Sequence, residues 1–305
     1  MASERLTSVS AAKVGSTQLA RPTEAGWRAV RQKIESVTDE TLGPHGRDRG
    51  PWDLSAELAG QDPVVVPTIA GLTYPLAIEA QGRLVNAGAY RKFTLDNGVL
   101  TAVALNLAER AAGDVRFSFQ NRASGASTAL ADELVIAAGA APNQTDRKGT
   151  IRFHSSGQTF TPDGGDAVAI PGIAQLVYNA RADVRVDADM GAAFMTELDI
   201  FGWLINGTLA FGDMSITDNL SLAEYLATLG QGTLVLRMYL TGKTMDAAPA
   251  TDKNFTFQRI KFDDPDERLQ SRADGKAVAS FDALTLAADG TELGIADMIS
   301  VGDAT

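Results

Sequence analysis

Between Ile173 and Phe262 the chain runs through two alternating stretches, one helical pattern and two more alternating stretches, and this constrains the fold more than any other feature. Alternation of period two puts one face of a strand in a core and leaves the other wet, so each stretch needs neighbours on its edges and a layer beneath it. Ile173 to Asp187 sets Val184 and Val186 against Asp183, Arg185 and Asp187, and Phe194 to Phe211 keeps Trp203, Ile205, Leu209 and Phe211 in phase, with Asn206-Gly207 as a turn or bulge signal. Thr233 to Leu240 puts Leu234, Leu236, Met238 and Leu240 on one face, and Asn254 to Phe262 and Lys276 to Leu286 continue the series. The helix is predicted over 219–229: Ser221 and Glu224 have capping-box spacing, Leu222, Tyr225, Leu226 and Leu229 form a stripe, and Gly230 supplies a left-handed stop. A lone helix among strands implies a sheet with one flank covered.

The first half follows the same logic. Trp27 to Val37 reads as an early strand, and residues 38–61, punctuated by Gly43-Pro44, His45-Gly46 and Gly50-Pro51, read as an extended loop carrying Arg47, Asp48, Arg49 and Trp52. Val64 to Val66 and Leu72 to Val85 read as strands. Tyr90 to Leu95 and Val99 to Leu107 form a hairpin about Asp96-Asn97-Gly98, and Asp114 to Asn121 is a strand with Val115, Phe117 and Phe119 inward. Ala129 to Ala138 fits helix or strand.

A length of 305 residues suits two domains. The expected division is a flexible leader at 1–24, a first β domain at 25–165 and a second at 166–305, since periodicity stops in the Gly- and Pro-rich stretch Thr161 to Gly172. The leader is rich in Ser, Ala and Thr without an apolar run, so it reads as neither signal peptide nor membrane anchor, and no stretch approaches the ~20 apolar residues of a span. Asp114-Val115-Arg116 and Asp183-Val184-Arg185 are too short to establish a repeat.

Chemistry is poorly supplied. Without cysteine there is no disulfide, thiolate zinc site or cysteine nucleophile, and the two histidines, His45 and His154, sit in unrelated contexts. The acids of Asp263 to Asp274 lie in one charged loop rather than across a cleft. Asp187-Ala188-Asp189 lacks the later ligands of a calcium loop, Gly230-Gln231-Gly232 sits at a helix end rather than a start, and Ser127 lacks a nucleophile elbow. Phe255 and Phe257 read as core rather than base-stacking residues, because a net charge of −11 opposes the phosphate neutralisation that nucleic-acid binding requires. No catalytic, cofactor-binding or metal-binding residue is assigned, and the chain reads as a non-enzyme.

The layout resembles the tail tube (major tail) proteins of long, non-contractile-tailed bacteriophages. The likeness rests on the long strand Leu176 to Asp187, the strand pair through Trp203 to Phe211 with Asn206-Gly207-Thr208, the helix Leu220 to Leu229, and Phe255-Thr256-Phe257-Gln258-Arg259-Ile260-Lys261-Phe262 leading to Ala277 to Leu286 and Asp289-Gly290-Thr291. In the first half it rests on Trp27 to Ser36 and the loop through Arg49.

The resemblance implies a mainly β fold, a β-sandwich or barrel-like tube fold with a flanking helix and two fused tube-type domains. It implies self-assembly into a homo-trimeric ring with pseudo-sixfold symmetry, or a homo-hexamer, and stacking of rings into a DNA conduit. Partners would be further copies, other tail proteins at the tube ends and DNA in transit, with no membrane and no cofactor. The location would be the virion tail, after assembly in the host bacterial cytoplasm. Asp183 and Asp187 are then expected to face the lumen, and Arg47, Asp48, Arg49 and Trp52 to form an inter-ring loop. A carbohydrate-binding or adhesive β-sandwich is the alternative, and it would present exposed aromatics on a concave face.

Overall fold

The computed structural model describes residues 4–36, 46–84, 90–139, 151–153, 157–188, 192–212, 216–240, 252–263, 278–286 and 290–303. The chain is mainly β, and its described residues form one antiparallel network of seventeen strands with a few helices. An N-terminal set comprises β1 (Glu4–Val14), β2 (Thr17–Leu19), β3 (Pro22–Ser36), β4 (Gly46–Gly60), β5 (Leu76–Leu84), β6 (Tyr90–Ala108), β7 (Asp114–Asn121) and β8 (Leu134–Ala138). A C-terminal set comprises β9 (Ile151–Phe153), β10 (Thr159–Pro162), β11 (Val168–Ala169), β12 (Ile173–Asp187), β13 (Glu197–Phe211), β14 (Gln231–Leu240), β15 (Asp252–Phe262), β16 (Val278–Ala283) and β17 (Ile299–Asp303). The helices are α1 (Val66–Ala70), α2 (Leu130–Glu133), α3 (Ile216–Thr228) and α4 (Ile295–Met298).

The two sets share one pairing scheme. The ladders β1–β2, β1–β5, β3–β4, β4–β7, β5–β6, β6–β7 and β6–β8 recur as β10–β11, β10–β14, β12–β13, β13–β16, β14–β15, β15–β16 and β15–β17. Short β9 also pairs with β14, so β9 and β10 together stand where β1 does. The agreement extends to irregularities. The bulge that places Asn97 at φ 58° in β6 has its counterpart at Arg259, φ 57°, in β15. Next to it, the N–H of Arg122 donates to the Asn97 carbonyl (2.9 Å) and that of Leu284 to the Arg259 carbonyl (3.2 Å). A four-residue helix leads directly into the last strand of each set, and in both its aspartate, Asp132 or Asp297, accepts the backbone N–H that opens the turn.

Matching registers sets Trp27 against Tyr178, Trp52 against Trp203, Leu58 against Leu209, Leu95 against Phe257 and Phe119 against Phe281. The repeat therefore survives as size and polarity at core positions more than as identity. The Asp-Val-Arg pair is unrelated to it: one copy lies on β7 and the other on β12, which occupy different places in the scheme.

Long β6 and β15 turn each set into two layers. The first part of β6 pairs with β5 and β8 and the second with β7, so the sheet folds back over a core in which Trp27 of β3 stacks on Phe93 of β6. In the C-terminal set Tyr178 meets Phe257 at 5.2 Å and Phe160 meets Phe262 edge-on at 5.2 Å. One hydrophobic cluster runs through both sets. The hydroxyl of fully buried Tyr178 finds no hydrogen-bond partner among the described residues, and burial pushes its ionisation far above the ordinary phenol range. An unpaired buried hydroxyl costs ~1–3 kcal/mol. Tyr178→Phe is therefore expected to raise the urea midpoint of unfolding, by about 1 kcal/mol in stability.

Several elements differ from the expectation. Residues 4–24 are no leader: they form β1, β2 and the start of β3, because Ala12, Val14 and Leu19 alternate inward and are buried. The first set thus starts by Glu4, and the boundary expected at 165/166 falls before Ile151, since β9 and β10 belong with β14. Residues 46–60 of the expected loop are strand β4; 38–45, including His45, lie outside the described residues. Gly50-Pro51 is absorbed as a bulge, with the register shifting between Arg31/Lys33 and Arg31 Nε donating to the Gly50 carbonyl (3.0 Å), a setting in which proline's missing N–H costs no ladder bond.

Val64 to Val66 is not a strand but lies within a short 3-10 turn at Pro63–Val65 and the start of α1, where prolines sit in the first turns. Asp96-Asn97-Gly98 is a bulge within continuous β6 and not a hairpin turn. Glycine is required there, because a Cβ at Gly98 would lie 2.5 Å from Ile78 Cγ1. Ala129 to Ala138 is helix and then strand.

Helix α3 starts at Ile216, so Ser221 lies inside it and cannot be its N-cap. Its buried face is Ala223 and Leu226, whereas Tyr225 is half exposed. Gly230, at φ 76°, ends it as predicted.

Candidate functional site

The run β15–β16–β13–β12–β6–β7–β4–β3 forms one eight-strand sheet that crosses both sets. Its inner face is core: Leu54, Leu58, Phe117, Leu176, Tyr178, Leu209 and Phe281 are all buried. Alternation then sends the polar residues to the opposite face, which no other element of the described chain covers with a second apolar layer. This face carries an open hollow of about 490 Å³ lined by Glu24, Asn106, Asp114, Arg116, Val177 and Asn179, on strands of both sets.

Outside the hollow, the β12–β13 hairpin presents Asp183, Asp187, Glu197 and Asp199 on the same face against Arg181 and Arg185, all exposed. Arg185 donates to Asp187 Oδ2 at 3.1 Å, and the Ala188 N–H donates to Oδ1 at 2.8 Å. These bonds, the backbone one first, hold the Asp187 carboxyl below the usual range, so it stays charged as pH falls further than an ordinary aspartate. On the N-terminal side Arg116 meets Glu24 (3.4 Å) and Glu57 (4.0 Å). The arrangement is a wet, mixed-charge face on which acids dominate at β12–β13. Asp183 and Asp187 share it, as their spacing on one strand requires.

The expected inter-ring group does not form a loop. Arg47, Asp48, Arg49 and Trp52 are strand residues of β4, paired with Glu35, Ile34, Lys33 and Arg31 of β3. Trp52 is partly buried against the core, with the Arg31 guanidinium 5.6 Å from its ring centre. Asp189 to Gly191, His154 and 264–274 of the charged loop lie outside the described residues. Among the described residues no cluster of His, Asp or Glu is placed to hold a metal ion, and no helix is long and apolar enough to cross a membrane.

The sequence gives no hint of a buried acid hub at the bulge of the N-terminal set. Glu133, fully buried, accepts from Asn97 Nδ2 and Asn121 Nδ2 (both 3.1 Å), from the Ser124 N–H (3.2 Å) and from Ser127 Oγ. Its counterpart by register in the C-terminal set is buried Met298. Nor does it single out Leu204, Leu284 and Leu286, which are 67%, 49% and 58% exposed. The available signal for the first is that Leu204 stands out of phase with Trp203 and Ile205, an apolar residue at a wet position.

No protein-family model matches the chain, and no curated protein matches it.

Proposed function

We propose that this chain is a structural virion protein that joins head to tail into rings, and that the rings stack into the DNA-conducting tail tube of a long, non-contractile-tailed bacteriophage. The observation that carries this reading is the repeated pairing scheme: two equivalent β bodies in one chain, joined side by side by the β6–β12 ladder, with the strands at the two ends left to meet further copies. A contact of this kind is heterologous, and heterologous contacts close into rings or run on as filaments. Three chains would give a ring of six bodies; six chains would make a larger ring. Edge strands that would be a liability in a monomer become the means of association.

The wet face of the eight-strand sheet is the natural lining, with Asp183 and Asp187 toward the lumen. A carboxylate ~10 Å from a phosphate repels it by about 0.4 kcal/mol in water before screening, enough to prevent adhesion without blocking passage. Other tail proteins would cap the tube ends, and the protein would reside in the virion tail.

Negative-stain electron microscopy of the purified protein at rising concentration tests the reading. Rings or stacked tubes are expected; a protein that stays monomeric at high concentration removes it.

A further inference from the structure

Among the described residues, three contacts join the two bodies besides the Phe153 N–H of β9, which donates to Glu109 Oε2 just after β6 (2.7 Å). Strand β6 pairs with β12 over Ala102–Ala108 and Gln175–Arg181. Residues 193–195 lie against the first body, where the Trp52 N–H donates to the Ala193 carbonyl (2.8 Å), the Met195 N–H to the Trp52 carbonyl (3.2 Å) and the Ala123 N–H to the Met195 carbonyl (3.0 Å). Helix α1 packs on α4 and β17, with Gly71 facing Ala296.

Because the scheme repeats, each contact has an equivalent place on the opposite ends of the molecule, and among the described residues those places are open. Among the described residues the outer edge of β3, equivalent to the edge of β12 that β6 occupies, is paired only at Gly26 and Trp27, by Arg5 and Glu4. Trp203 and Thr285, equivalent to Trp52 and Ala123, make none of the corresponding hydrogen bonds among the described residues. Helix α3, equivalent to α1, turns Tyr225 outward at 49% exposure. On β8, Ile136 is 52% exposed, whereas its equivalent on β17, Val301, packs against the core.

Six of the nine exposed large apolar residues among those described lie at these places, Leu204, Leu284, Leu286 and Tyr225 on the C-terminal body and Val135 and Ile136 on the N-terminal body; Ile200, Phe201 and Val278 lie elsewhere on the C-terminal body. Leu204 and Leu284 adjoin the last pair of the β13–β16 ladder, Ile205 with Ala283, and are the sequence neighbours of Trp203 and Thr285. Their N-terminal equivalents are Asp53 and Arg122, so at these two positions apolar character is confined to the C-terminal body. Isolated exposed apolar residues need no explanation, but patches at symmetry-equivalent positions do.

We infer that the C-terminal body, through Leu204, Leu284, Leu286 and Tyr225, receives the N-terminal body of a second copy, through Val135, Ile136 and the outer edge of β3, repeating between chains the junction that joins the two bodies within one. This rests on the self-assembly reading and names its interface.

Two variants test it, Leu204→Arg on one surface and Ile136→Arg on the other. Both side chains are exposed, so each variant should melt within a few degrees of wild type by circular dichroism. At a concentration at which wild type assembles, each variant alone should sediment as a monomer. Their equimolar mixture should give a 1:1 dimer and no ring, because one intact surface remains on each partner. If the variants assemble as wild type does, the inferred surfaces are wrong while the self-assembly reading stands. If the mixture stays monomeric, the head-to-tail pairing of these two surfaces is wrong. A wild-type chain that never assembles overturns both the surfaces and the reading.

Discussion

Glu133→Ala should lower the stability of the fold by about 4 kcal/mol, read as the loss in unfolding free energy from urea titration. The carboxylate is fully buried and accepts from two asparagine amides, a backbone N–H and a serine hydroxyl. Removing it strands these donors, Asn121 among them at 2% exposure, and each buried unpaired group costs ~1–3 kcal/mol. Glu133→Met separates polarity from volume. Methionine fills the equivalent place at Met298, yet here it leaves the donors unmet, so most of the loss, about 3 kcal/mol, should remain. Near-wild-type stability of the methionine variant would mean that the site needs only volume.

The same substitution carries a pH signature. Asp96 has its carboxyl raised above the usual range by desolvation first, then by the charges of Glu133 and Glu79, with Lys92 opposing. A raised acid holds its proton more tightly in the folded state, so this group favours folding increasingly as pH falls through its raised value and opposes it above. Removing the Glu133 charge should let Asp96 titrate closer to an ordinary aspartate. The shift is measurable by NMR titration, and an unchanged Asp96 would show that the two carboxylates are not coupled.

Gly207→Ala should lower stability by about 3 kcal/mol. Gly207 sits mid-strand in β13, opposite Tyr178 on one side and Phe281 on the other. A Cβ there would lie 2.3 Å from the Phe281 ring and 2.3 Å from the Val177 carbonyl oxygen, so both a packed aromatic and a backbone would have to move. The equivalent residue of the N-terminal body is Ala56, opposite Phe119, where a methyl already fits. Ala56→Gly is therefore the control and should cost only the ~0.5–1 kcal/mol of added backbone freedom. Equal effects at both positions would remove the steric account of the difference.

What could be read from the chain depends on how local the deciding physics is. Strands Asp114–Asn121 and Ile173–Asp187 have the bounds that alternation predicts, and Gly230 stops α3, because the pattern of one strand and the backbone of one glycine are properties of consecutive residues. Gly50-Pro51 and Asn97-Gly98 were misleading for the opposite reason. Their turn chemistry is real, but flanking ladders on β3 and β5 convert it into bulges inside long strands. The leader misled because small alternating residues carry little hydrophobic signal, although β5 supplies an edge and the core accepts Ala12 and Val14.

For the candidate surface, the placing of Asp183 and Asp187 on one wet face follows from alternation on a single strand. The strand character of Arg47 to Trp52, the Glu133 hub and the open apolar surfaces do not, since each depends on contacts between elements that the periodicity of one segment does not encode. By itself the sequence determined a mainly β protein, its strand faces and the stop of helix α3, through periodicity and backbone preference. The tertiary structure alone decided that the chain is two equivalent bodies. A core position asks only for apolar volume, so Trp27 can stand for Tyr178 and Leu95 for Phe257, and the repeat is kept in the hydrogen-bonded registers after it has left the letters.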